Sequence, residues 1–377
     1  MKAKSISGNS PEELKLAFYD CIEDGFKPTL AFVFIPFKTE IEPYCEILKE
    51  KEIAIFGTSR FGTVMQDPIT IKDTSFLLLD LDLKHFKILF KEFTDNSAES
   101  AATELAKQVK DTFNESSLLV YSSDFRINFT NMLKGFTGIL GDDVNMFGAV
   151  SGTDETITDG LVFTNNKQSK HALLSLVFNA EKVHVQGDSF SGWKSVGTVK
   201  TVTKSKDNVV LEIDNKSAVD ITMKYGGIDE LPEDFFEATV LVSRTLAMNF
   251  LRDKGDPITL IGLVLHDERG LITNANCPVG SKLQFALPPE FDVIDETILR
   301  FSQLKEEVPN PDAVVLYNCM NRMEVLGPFV DEEIKGIRKL WNAPLAGFMS
   351  NGEIGRARNS ELEIHNCTQM CVVIKEK

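Results

Sequence analysis

Long apolar runs are missing from this chain of 377 residues. No stretch approaches the roughly 18 to 20 uninterrupted apolar residues that a membrane-spanning helix requires, so no membrane partner is expected. The opening Met1-Lys2-Ala3-Lys4 and its polar continuation lack the apolar core of a secretory signal, and the expected location is the cytoplasm. Basic residues are few beside acidic ones: 40 Lys and Arg against 56 Asp and Glu give a formal net charge of −16. Nucleic-acid binding needs clustered cations that displace counterions from phosphates, and the sequence has no such cluster; its acidity serves solubility. The six cysteines (Cys21, Cys45, Cys277, Cys319, Cys367, Cys371) have no framework spacing, which predicts reduced, partly buried thiols. Trp occurs only twice, whereas Phe occurs 27 times and reads as core filling. Glycine runs match neither G-x-x-x-x-G-K nor a strand-linked G-x-G-x-x-G, which removes the nucleotide-binding fingerprints. No low-complexity linker interrupts the chain, so its parts are expected to pack tightly.

What is present is a threefold repetition. An apolar run leads through a helical stretch to a glycine-containing second run, and another apolar run closes each copy. From strand start to glycine the separations are 27, 30 and 33 residues, for Leu30 to Gly57, Leu118 to Gly148 and Val314 to Gly347. The closing runs lie at residues 76–81, 172–178 and 370–374. Such self-similarity points to a duplicated unit with loop variation.

Residues 9–25 read as an amphipathic helix entered through Ser10-Pro11, and residues 97–113 as a second helix. Residues 29–34 are too continuously apolar for a half-exposed strand and predict a sheet covered on both faces. Short alternating strands are expected over 182–213, then a helix over 217–225 stopped by Gly226-Gly227. Further strands are expected at 258–266, 283–287 and 314–317, with helices at 232–251 and 292–307. The predicted class is α/β: two packed domains, residues 1–215 and 216–377, built from repeated strand-helix-strand units with mixed sheets flanked by helices.

Several motifs then carry a resemblance. Asn318-Cys319 with Arg322, Pro344-Leu345-Ala346-Gly347-Phe348, Gly352-Glu353-Ile354, and His365-Asn366 with Thr368 are the strongest; Gly57-Thr58-Ser59 with Gly62, the segment 148–154, and Gly192-Trp193 ahead of Thr201-Val202-Thr203 are weaker. On these the chain resembles a FIST-domain protein, with the N-terminal module over roughly residues 28–215 and the C-terminal module over 216–377. Departures from that pattern are Thr63 where a carboxylate is expected, Ser191 where His often precedes Gly-Trp, and Thr153-Asp154 in place of an acidic pair.

The resemblance implies a ligand-binding sensory role in signal transduction, with small molecules such as amino acids as ligands. Some members resemble haem-binding nitric-oxide sensors, and eukaryotic relatives carry an F-box. Only about 27 residues precede the first strand here, fewer than an independently folded module needs, so an F-box is not expected. A signal is expected to pass to a separate protein.

Asn318, Cys319, Arg322, Phe348, Ser350, Gly352, Glu353, His365 and Asn366 are the expected ligand-binding residues. Gly347, Gly352 and Gly355 are expected to adopt positive φ and turn amides toward a carboxylate or phosphate. Arg322 would fork the same anion and Glu353 receive an ammonium; alternatively Arg322 and Glu353 pair with each other and lock the fold. His365, Cys367 and Cys371 are expected on one strand face, yet no second ligand pair has metal spacing, so neither metal nor cofactor is expected, with haem as the alternative. His85, His171, His184 and His266 read as structural. A hydrolase-like enzyme using Cys319 or Ser350 with His365 and Glu353 is the competing class; Ser59 has one residue too many for a G-x-S-x-G elbow.

Overall fold

The structure is a computed structural model that describes all residues except 65–69, 71, 95–96, 153–159, 266 and 358–359, and only the backbone at Thr63 and Phe236. The expectations at Thr153-Asp154 and His266 therefore lie outside the described residues.

The three copies fold alike. In each, the first two strands are parallel and the closing strand runs antiparallel to the first: Leu30–Pro36, Ala54–Arg60 and Thr74–Asp80; Ser116–Ser122, Asn145–Val150 and Ala172–Asn179; Ala313–Cys319, Leu345–Ser350 and Gln369–Glu376. A further strand flanks each closing strand antiparallel, namely Lys2–Gly8, Phe86–Glu92 and Val183–Phe190. Helices Pro11–Ile22, Ala98–Lys110 and Val293–Glu307 follow these flanking strands. The fold is α/β, with mixed sheets covered by helices.

Sequence dictates the layering. Along Leu30–Pro36 every second residue, Leu30, Phe32 and Phe34, enters a central core shared by the three sheets, while Ala31, Val33 and Ile35 face helices Pro11–Ile22 and Glu42–Lys49. Both faces are dry, which is why the run is continuously apolar rather than alternating. The third sheet is backed in the same way by Val293–Glu307 and Val330–Leu340.

The units also exchange edges. Within each copy, the connection between second and third strands supplies an edge strand to another copy's sheet. Thr63–Val64 pairs with Leu345–Ser350, Val162–Phe163 with Ala54–Arg60, and Glu353–Arg356 with Asn145–Val150. First gives to third, third to second and second to first, which closes a ring and covers strand edges that would otherwise be open to pairing.

Between Val183–Phe190 and Val293–Glu307 the chain builds a separate antiparallel sheet. Lys194–Lys206 runs through it with register shifts, pairing with Lys282–Leu287 at one end and Val209–Ile213 at the other. Residue 215 lies in the turn between Val209–Ile213 and Lys216–Ser217, inside this sheet. Helix Ala218–Gly226 is capped by Ser217 and ends at left-handed Gly227 (φ 66°), as expected from Gly226-Gly227. The helix expected over 232–251 instead stops at Thr245, and Ala247–Phe250 is a strand. Leu246 turns extended (φ −141°), and a short apolar run does not reveal which period it will follow.

Candidate functional site

The inner faces of the three sheets meet in layers. Phe34, Tyr121 and Tyr317 occupy matching positions, each one residue beyond the partner of Gly57, Gly148 or Gly347. The Tyr121 and Tyr317 hydroxyls are 3.1 Å apart. Tyr121 stacks on Phe56 with ring centroids 4.3 Å apart, and Phe348 lies 5.5 Å from both tyrosines and 5.3 Å from Phe34. Burial pushes both phenols well above their ordinary range, so they remain neutral.

Two residues farther on, at the carboxyl ends of the parallel pairs, the chemistry changes. Strand alternation brings Pro36 and Arg60, Ser123 and Ser151, and Cys319 and Ser350 to the same inner side. Arg60, Ser123, Ser151 and Ser350 are fully buried, and Cys319 is nearly so. Backbone hydrogen bonds tie the three ends together: Gly152 N–H to Ser59 O (3.1 Å), Val150 N–H to Gly352 O (2.8 Å) and Met349 N–H to Gly62 O (2.9 Å). A Cβ on Gly152 would sit 2.3 Å from Met349 O and 3.0 Å from Arg60 Cα, so the copies touch at backbone distance here. Carboxyl ends of parallel strands are the usual place for ligands in α/β sheets.

Arg60 is the unusual member of this polar layer. Its Nη1 donates to Phe61 O (3.1 Å) and Thr70 O (3.2 Å), yet among the described residues Nε and Nη2 have no hydrogen-bond partner. Burial pulls the guanidinium down to about 9, with Asp73 acting in the opposite sense; at neutral pH it remains a cation. Two residues earlier on the same strand, Thr58 Oγ1 lies 2.7 Å from Ser151 Oγ.

The third copy contributes a second cluster. Glu353 accepts from Ser350 Oγ (2.6 Å) and Thr368 Oγ1 (2.5 Å). Burial first, and then the Cys319 charge, raise its carboxyl well above the usual carboxylate range. Cys319 moves the other way, to about 7: the Cys367 thiol stabilises the thiolate most, and amides of Cys367, Asn321 and Arg322 add to this against desolvation.

Arg322 does not pair with Glu353; its guanidinium is taken up by other groups of the protein. It is fully buried against Glu333 (Nη2 to Oε1, 2.5 Å; Nε to Oε2, 3.0 Å), and it also donates to Thr297 Oγ1 (2.8 Å) and to Ser191 O. A buried cation so fully satisfied is a structural tie between helix Val330–Leu340, helix Val293–Glu307 and the start of the inserted sheet.

The glycine expectation fails as well. Gly347, Gly352 and Gly355 do not have positive φ. Gly347 is required because a Cβ there would lie 1.9 Å from Leu316 O; Gly148 meets Val120 O at the same distance. In the second and third copies the glycine therefore permits close approach of the parallel strands rather than baring amides, while at Gly57 a Cβ would meet the Phe163 ring at 2.2 Å.

His365, Cys367 and Cys371 do not share a strand face. Leu362–His365 lies in the second sheet and Gln369–Glu376 in the third, with Cys367 between them at φ 60°. His365 is buried with Nε2 3.3 Å from Gly355 O, and desolvation lowers its pKa. Asn366 spans backbones, accepting from Ile261 N–H (3.2 Å) and donating to Asn351 O (3.4 Å). Asn318 alternates to the opposite face, where its amide meets Gln369. Of the expected residues, Cys319, Ser350 and Glu353 therefore come together, Phe348 lies directly beneath them, and Gly352 braces Val150. Among the described residues no group of three His, Cys, Asp or Glu side chains is placed to hold a metal ion, and His365 is engaged with Gly355 O.

Arg60, Cys367 and Thr368 were not read from the sequence as site residues. Alignment of the copies on Gly57, Gly148 and Gly347 sets Arg60 against Ser151 and Ser350, and that is the signal that finds it.

No helix among the described residues is long and apolar enough to cross a membrane. Comparison with curated proteins gives no match. Family models match twice, the FIST N domain over residues 29–216 and the FIST C domain over residues 219–356. FIST domains are described as sensory domains of signal transduction. With both modules matched in order over most of its length, the chain belongs to the FIST family.

Proposed function

We propose that this protein senses a small anionic molecule, a carboxylate such as an amino acid, in the polar layer at the carboxyl ends of its three parallel strand pairs, and passes occupancy on to a separate signalling protein. The observation that carries this reading is the Arg60 guanidinium, fully buried with two N–H-bearing nitrogens unpartnered among the described residues. An uncompensated buried charge costs several kcal/mol, and a carboxylate matches the planar fork that Arg60 presents. Ser151, Ser350 and the Glu353 carboxyl, whose pKa burial raises, would offer further hydrogen bonds, and the aromatic layer beneath would supply an apolar floor. Backbone bonds from this layer reach all three copies, so a ligand there would alter their mutual packing, the differential contact a sensor requires.

The test is thermal stabilisation and calorimetric titration with a panel of amino acids and small carboxylates, on the wild type and on Arg60→Met. Loss of a charged contact worth roughly 1.5–3 kcal/mol predicts more than tenfold weaker binding in the variant. Without ligand, Arg60→Met should melt no lower than the wild type, because it removes a desolvated charge. A variant that melts lower and binds as well as the wild type would overturn the reading. The enzyme alternative has less support: Ser350 meets Glu353, but His365 is engaged with Gly355 O, and among the described residues neither Ser350 nor Cys319 has a histidine base.

A further inference from the structure

Six cysteines are free and buried, but their environments differ. Burial raises the thiols of Cys21, Cys45, Cys277 and Cys371, Cys45 to about 12 and Cys277 to about 11. They lie apart, in the cores backing the first sheet (Cys21, Cys45), the inserted sheet (Cys277) and the third sheet (Cys371). Cys319 and Cys367 are the exception.

Cys319 ends the first strand of the third copy, and its N–H donates to Thr368 O at 2.9 Å. In the antiparallel pairing Asn318 stands opposite Gln369, so Cys319 faces Thr368 and Cys367 is the next residue. A left-handed backbone at Cys367 (φ 60°), uncommon for a residue other than glycine, turns the chain there between the second and third sheets. That register sets Cys319 and Cys367 diagonally across one strand pairing, and the Cys367 thiol is the largest influence lowering the Cys319 pKa. Strain held at a buried junction of this kind is common at functional positions.

We propose that Cys319 and Cys367 form a reversible thiol switch, in which a hydroperoxide oxidises the pair to a disulfide and a small dithiol restores it. Cys319 is the attacking sulfur. Its thiolate forms an S–O bond with the distal peroxide oxygen as the O–O bond breaks, and the departing alkoxide or hydroxide takes up a proton. Cys319 is then a sulfenic acid. The Cys367 sulfur attacks it; the S–S bond forms, the S–O bond breaks, and the leaving hydroxide takes the Cys367 proton and departs as water. Two thiols have lost two electrons and the peroxide has gained them. Burial and the Cys319 charge both raise the Glu353 pKa, which reduces the negative charge that would oppose the thiolate. The inference does not depend on ligand binding at Arg60, but it gives the same layer a second input.

The intact protein is treated with stoichiometric hydrogen peroxide and mapped by mass spectrometry. The expected product is a Cys319–Cys367 disulfide reversed by dithiothreitol, with the other four cysteines unchanged. A thiolate-rich sulfur predicts that Cys319 is oxidised at least about tenfold faster than Cys371. In Cys367→Ala the reaction should stop at a sulfenic acid trapped by dimedone at Cys319, and in Cys319→Ala no trapping should occur. Oxidation of Cys319 no faster than of Cys371, or passage to sulfonic acid with no disulfide in the wild type, would overturn the proposal without bearing on ligand binding.

Discussion

A carboxyl group enclosed by Ser350, Thr368 and Cys319 holds its proton to higher pH than one in water, and this couples folding to pH. Glu353 has a raised pKa in the folded state against an ordinary 4.5, so the folded chain binds more protons than the unfolded chain above that value. Stability from this group is complete below about 4.5 and is lost as pH rises toward the folded value, by about 1.4 kcal/mol for each pH unit in between. Glu353→Gln removes the ionisable group: its amide oxygen accepts from one of the two hydroxyls and its amide nitrogen donates to the other's oxygen. Its stability relative to the wild type should therefore increase from pH 4.5 upward, as read from urea midpoints at pH 5 and pH 8; a gap that narrows instead would mean that Glu353 is ionised in the folded protein. Arg322 shows what sequence conceals at this scale. Its motif position next to Asn318-Cys319 was legible, but its partner Glu333 sits eleven residues on, in another helix, and no local pattern distinguishes a guanidinium with an internal carboxylate from one awaiting a ligand. Arg60, whose motif looked weak, is the guanidinium with two nitrogens unpartnered among the described residues.

Among elements, the repeated strand pairs were legible because a strand buried on both faces has to be apolar throughout. The repeated glycine was legible too, but its reason was not: whether a glycine serves φ or close approach depends on what lies across the sheet. Gly347→Ala should cost about 1–3 kcal/mol or more, since its Cβ would meet Leu316 O, a backbone atom that no rotamer change can move aside. Gly138→Ala is the control: it lies within helix Phe129–Leu140 and has nothing within 4 Å, so it should raise stability by roughly 0.5–1 kcal/mol. Equal effects in chemical denaturation would show that the parallel strands can separate to admit a methyl group. The separation of His365 from Cys371 belongs to this scale as well. Seven residues that read as one strand bend at Cys367 into two sheets, and alternation arguments end at such a bend.

At the scale of the molecule, closure of the ring is decisive. Val183–Phe190 is paired with Gln369–Glu376, and the first and second sheets take edge strands from the second and third copies. A fragment of residues 1–215 would keep the first two copies but expose the edges that Gln369–Glu376 and Glu353–Arg356 cover. It should unfold without a sharp transition or associate through those edges, as judged by circular dichroism melting and light scattering; a monomer with one cooperative transition would show that the ring is dispensable. The sequence by itself determined the repeated unit, its doubly buried strands and its family, because apolar period and motif order are local properties that a chain carries wherever it folds. Only the tertiary structure decided which copy edges which sheet, that Arg322 is spent on Glu333, and that Arg60 is buried with two nitrogens unpartnered among the described residues. Those outcomes depend on contacts between separate elements, where burial and pairing, not the side chain's own chemistry, set what a charge or a thiol can do.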